Sequence, residues 1–176
     1  MEIQKTDSKG IIINYGVLLG ILSVVLGVIM YVTNAYLNPS FYFSIVSFLI
    51  MVVVIVLGIR TYKIANQSYL SLTEALKLGL GIALVGGIIG AIWQLLLMMV
   101  IEPDYMMQMA DMQREVMLER FPNMTDAQID DAMAMNEKFS SPWIMMAIAI
   151  IGSLFFGFLI SLVTGLIMKN KNPYEA

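Results

Sequence analysis

Charged and apolar positions are not interleaved along this chain; they are segregated into long blocks. No Asp, Glu, Lys or Arg occurs from Ile11 to Ile59, from Leu78 to Ile101, or from Phe139 to Met168. A helix in water needs a wet face, so charges return every turn or two. Blocks this long without a charge suit lipid, where about 20 apolar residues cross the hydrocarbon as a helix. The first block is long enough for two crossings. Asn38-Pro39-Ser40 divides it, because Asn-Pro favours a turn and Pro ends helices. The β-branched run at 52–59, VVVIVLGI, would suit a buried strand in water. In lipid an open strand leaves its backbone unpaired, so a helix is expected there too.

The pattern predicts an all-α membrane protein forming a single domain over residues 1–176. Four transmembrane helices are expected at about 11–36, 41–59, 74–101 and 142–168, with a helical extramembrane hairpin within 102–141. Ser71 and Glu74 form a capping-box pair that starts the third helix near Leu72, while Glu102-Pro103 stops it. Pro142 suits the first position of the fourth helix. Residues 60–67 read as a basic loop. Within 102–141, one helix is expected from Asp104 to Arg120. Phe121-Pro122-Asn123 breaks it, and a second helix starts at the Thr125–Gln128 capping pair. The first span exceeds a signal-peptide core and no convincing cleavage site follows it, so it is expected to be retained.

Charge then gives an orientation. Seven of the ten basic residues (Lys5, Lys9, Arg60, Lys63, Lys77, Lys169 and Lys171) fall on one side of these spans. The 102–141 loop holds Arg114, Arg120 and Lys138 against nine acids, a net −6. Basic loops stay cytoplasmic, so both termini are expected inside and the 102–141 loop in the periplasm. Trp93, Trp143, Tyr31, Tyr36, Phe41 and Tyr42 then lie toward the outer ends of their spans, as an aromatic belt would.

Composition removes several chemistries. The chain has no Cys and no His, which excludes disulfides, Cys–His catalysis, the usual zinc sets and a histidine switch. No cofactor, metal site or nucleic-acid partner is expected, and no enzymatic activity. Glu102 and Asp104 could serve acid–base chemistry, but no second constellation supports them.

Three features are candidates for contact. Small residues recur at helical spacing, at Gly16 and Gly20, at Gly79, Ala83, Gly86 and Gly90, and at Gly157 and Gly165. They permit close helix approach, either inside the bundle or against a partner. The similarity of residues 16–29 to 81–93 also suggests a tandem two-helix duplication. Intramembrane polar groups are few: Asn14, Asn34 and Gln94, then Ser23, Thr33, Ser44, Ser47 and Thr164. Glu74 and Lys77 sit at one membrane edge, as a cap and an i,i+3 ion pair or as a contact for headgroups or an enzyme. Eight of the sixteen methionines fall in the 102–141 loop. Met106, Met109 and Met112 could attract Cu(I), although an adaptable binding helix explains them better.

The segments NYGVLLG at 14–20, RTYK at 60–63, LSLTEALKLG at 70–79 and IEPDY at 101–105, followed by the acidic helical loop, carry a resemblance. Together they resemble an uncharacterised family of small four-span bacterial membrane proteins of Bacteroidetes type, known only as a domain of unknown function. The resemblance implies four spans in a bacterial inner membrane, and no established activity. The expected function is that of a non-catalytic accessory subunit. Besides the lipid bilayer, its partner would be another membrane protein, a membrane-associated enzyme or a second copy of itself. The alternative is a small transporter or flippase for a lipid-linked or small-molecule substrate. A polar cavity reaching Asn14 or Gln94 would favour the alternative.

Overall fold

The computed structural model describes residues 7–137 and 139–170. The terminal tails with Lys5 and Lys171, and Lys138 in the loop, lie outside the described residues. Among the described residues six α-helices form: α1 Ser8–Val32, α2 Phe41–Ala65, α3 Leu72–Leu96, α4 Tyr105–Arg120, α5 Asp126–Glu137 and α6 Pro142–Met168. A π-helical turn, Leu97–Ile101, prolongs α3. Among the described residues there is no strand, only an isolated bridge between Leu70 and Asn170.

Helices α1, α2, α6 and the continuous Leu72–Ile101 segment are long and apolar enough to cross a membrane. At 1.5 Å per residue, 25 residues reach about 37 Å, against a hydrocarbon core of about 30 Å. Their outward faces carry bare apolar side chains, such as Ile21, Val25, Phe155 and Ile167. In water such a surface would aggregate; against acyl chains it is solvated. The chain is a multi-pass membrane protein.

The helix ends follow local chemistry. Ser71 accepts from the Glu74 amide at 3.2 Å and Glu74 accepts from the Ser71 amide at 2.7 Å, which completes the expected capping box of α3. Thr125 and Gln128 make the same exchange before α5. Pro142 opens α6.

Two boundaries depart from expectation. Helix α1 stops at Val32 rather than near 36. Asn34 takes a left-handed conformation (φ 55°), while the Ala35 amide donates to Met30 O and the Asn34 amide to Tyr31 O. This is a Schellman stop, and Asn is among the few side chains that tolerate its geometry. Asn34 is therefore a terminator, not a polar group within a span. Helix α2 runs on to Ala65 instead of ending at Ile59, so RTYK is helical rather than a loop. Nothing breaks the helix until Gln67, left-handed at φ 53°, where the Ser68 amide donates to Lys63 O. The Lys63 ammonium reaches Met168 O at 2.9 Å, joining α2 to the end of α6.

Helix α3 is the centre of the bundle, with α1 along one face and α6 along another. Close approach depends on missing side chains. A Cβ on Gly16 would lie 2.5 Å from Val85 Cβ, and one on Gly20 2.6 Å from Ile89 Cβ. Where α3 crosses α6, Gly79 faces Ser161 and Gly157 faces Ala83, with backbone oxygens also near. Interdigitation at this distance supplies the dispersion contacts that hold helices together in lipid. The main core, including Ile55, Ile59, Leu78 and Ile82, occupies the half of the bundle away from the α4–α5 hairpin. Helix α2 is buried only there, at Val54, Ile55, Gly58, Ile59 and Tyr62. None of its residues from 41 to 50 is buried.

Candidate functional site

The half of the bundle nearest the hairpin is hollow, because α2 does not close on its neighbours there. A cavity of about 610 Å³ lies between all four spans. That is within the range of about 300–1,000 Å³ usual for ligand pockets. Its floor is Leu19, Met51, Gly86 and Phe156. Higher up it is lined by Ser23 and Gly90, by Ser44 and Ser47 of α2, and by Ser153 of α6. Its hairpin end carries Trp93, Gln94, Tyr36 and Tyr105. Among the described residues no Asp, Glu, Lys or Arg lines it.

The lining hydroxyls are not equivalent. Ser23 donates to Leu19 O at 2.9 Å and Ser153 to Ala83 O at 2.7 Å, so those protons are committed to backbone carbonyls. Ser44 and Ser47 donate to no residue among those described, and both are exposed to the open space. At Gly90 a Cβ would meet only Ser23 Cβ, at 3.8 Å. Trp93 stands against Gly27, so its indole is turned into the bundle rather than outward into a belt.

A tyrosine cluster roofs the cavity. Tyr36 stacks on Tyr105 with ring centroids 5.9 Å apart, and Tyr31 approaches Tyr36 at 5.5 Å. The Tyr36 hydroxyl donates to Gln108 Oε1 at 3.0 Å, and Gln108 Nε2 donates to Glu102 Oε1 at 2.8 Å. Through this chain the α1–α2 loop, the end of the third span and α4 hold one another. Burial, then the Glu102 carboxylate and Tyr31, push the Tyr36 phenol above its ordinary value. Burial also raises the Tyr105 phenol, with Tyr36 adding to the effect and Gln94 opposing it. Both stay protonated at neutral pH. The π-helical turn lies directly before this roof, and its Leu97 lines the cavity. Such turns often mark functional sites.

Of the polar groups singled out from sequence, Gln94 and the serines 23, 44 and 47 come together here; Asn14 does not, being exposed on α1. Glu74 accepts from the Tyr62 hydroxyl at 2.7 Å at the opposite end, where Lys77 is exposed. The small-residue positions 16, 20, 79, 83, 86, 157 and 165 all turn toward a neighbouring span of the same chain. Glu102 and Asp104 line neither this cavity nor a second one at the hairpin. Tyr36 and Tyr105 were missed as partners; the signal was the IEPDY turn, which brings Tyr105 back over the bundle.

A second cavity of about 610 Å³ lies where the hairpin meets the start of α6. Met106, Met107, Met109, Met133 and Met145 line it, but Met112 does not, so the candidate triad is not gathered at this pocket. The hairpin is otherwise held by an Asn136–Gln113 hydrogen bond and an exposed Arg114–Asp130 ion pair of 2.8 Å.

Residues 14–170 match the family described as "Protein of unknown function (DUF4199)". The chain belongs to that family. No curated protein and no solved structure matches it. The DUF4199 match begins within the first candidate crossing and covers the other three, the roof and the cavity.

Proposed function

We propose that this DUF4199 protein is a non-catalytic carrier that holds a lipid-linked or small-molecule guest between its spans, as a small transporter or flippase does. The observation behind this reading is the cavity reaching Gln94, walled by all four spans yet left unfilled by side chains. Its lining offers hydrogen bonds and no acid, base or nucleophile matched to a partner, which argues for binding rather than chemistry. We place both termini in the cytoplasm and the hairpin in the periplasm on the distribution of Lys and Arg, and the spans in a bacterial inner membrane on the resemblance to small four-span bacterial membrane proteins.

A second reading, an accessory subunit of a membrane complex or membrane-associated enzyme, is favoured by the methionine-lined pocket at the hairpin. Thioether-rich surfaces adapt to varied partners. Native mass spectrometry of protein released from mild detergent tests both. The carrier reading predicts a small bound guest that Gly90→Phe displaces. A stoichiometric second chain without any guest would favour the accessory reading.

A further inference from the structure

We infer that the cavity takes a neutral single-chain amphiphile, its uncharged hydroxyl- or amide-bearing head at Gln94 and Tyr105 and its tail directed toward Leu19 and Met51. This deepens the carrier reading and rests on it. The lining is graded. At the hairpin end the Gln94 amide and the rings of Tyr36 and Tyr105 line the space. The Tyr36 proton is committed to Gln108, and Gln94 hydrogen-bonds Tyr105, a single bond that leaves further donors and acceptors on the Gln94 amide. The Ser44 hydroxyl below them has no partner among the described residues. The floor is aliphatic and aromatic. An anionic or cationic head is disfavoured, because no countercharge lines the wall and an unpaired charge at this depth is costly. A wholly polar solute is disfavoured by the floor. The route of entry follows from α2. Phe48 lines the cavity and is still 46% exposed, and neighbouring Ser44 and Ser47 are open as well. None of the α2 residues from 41 to 50 is buried, so the wall is weakest beside the first half of α2, and there an amphiphile would enter sideways with its tail already in lipid.

The test uses full-length protein in detergent and native mass spectrometry. Monoacylglycerol is titrated against the fatty acid of equal chain length at neutral pH and against glycerol. Monoacylglycerol should bind with an affinity about tenfold or more above that of the carboxylate, a gap of about 1.4 kcal/mol. Glycerol should not bind. Gly90→Phe should abolish binding with an unchanged melting temperature, and Gln94→Leu, which also removes a hydrogen-bond partner of Tyr105, should weaken it. A Cβ at Gly90 meets only Ser23 Cβ, at 3.8 Å, and the position lines the cavity, so the unchanged melting temperature is what separates loss of binding from loss of fold. Preference for the carboxylate or for glycerol, abolished by Gly90→Phe, would overturn the ligand class and leave the carrier reading standing. Binding of every probe unaffected by Gly90→Phe would remove the cavity from the account and sink both.

Discussion

At the residue scale, glycines do two different jobs. Gly79 and Gly157 are contact points between backbones, and a side chain at either must displace Ser161 or Ala83. Gly79→Leu should lower stability by about 1–3 kcal/mol, the usual cost of overpacking, read as a shifted midpoint in denaturing-detergent titration. Gly90→Leu, pointing into the cavity, should shift it far less. Asn34 provides a backbone test. Asn34→Gly keeps the left-handed stop and should be near neutral, whereas Asn34→Val should cost about 1 kcal/mol or more in the same titration. The roof makes a prediction in pH. Because the Tyr36 and Tyr105 phenols are raised in the fold, their stabilising effect is complete below the ordinary value of 10.0. It is lost as pH climbs through the raised values. Ultraviolet titration should show a late-ionising fraction among the eight tyrosines that Tyr105→Phe reduces. Uniform ionisation of all of them would contradict this.

At the element scale, the helices were legible because lipid demands what the pattern supplies: charge-free blocks bounded by caps and prolines. The capping box at Ser71–Glu74, the break at Phe121-Pro122-Asn123 and the start at Pro142 could all be read directly. The end of α2 could not, because a helix does not stop where the hydrocarbon stops. Arg60 and Lys63 are carried past the apolar block on the same backbone. Gln94 was legible as a polar residue within a span, but the space it faces was not. A cavity is packing that fails to occur, and hydrophobic periodicity does not record it. The uneven burial of α2 predicts uneven order. Spin labels at Ser44→Cys and Ala149→Cys should give a broader distance distribution than labels at Leu57→Cys and Val163→Cys. The cysteine-free sequence makes such labelling selective. Equal widths would argue against an open first half of α2.

At the scale of the whole molecule, the fold is a bundle tight at one end and hollow at the other. Helix α3 binds α1 and α6 through small-residue crossings, and the tyrosine roof closes the hairpin end over the hollow. All of this presumes four crossings, so that the 33–40 loop and the hairpin share one side of the membrane and the 66–71 turn lies on the other. Single cysteines at Asn38, Ser68 and Asp131, labelled in intact vesicles with a membrane-impermeant maleimide, test that assignment directly. Asn38→Cys and Asp131→Cys should react from the same side and Ser68→Cys only from the opposite one. Labelling of Asn38→Cys and Ser68→Cys from the same side would mean that α2 does not cross, and the bundle with its cavity would be wrong.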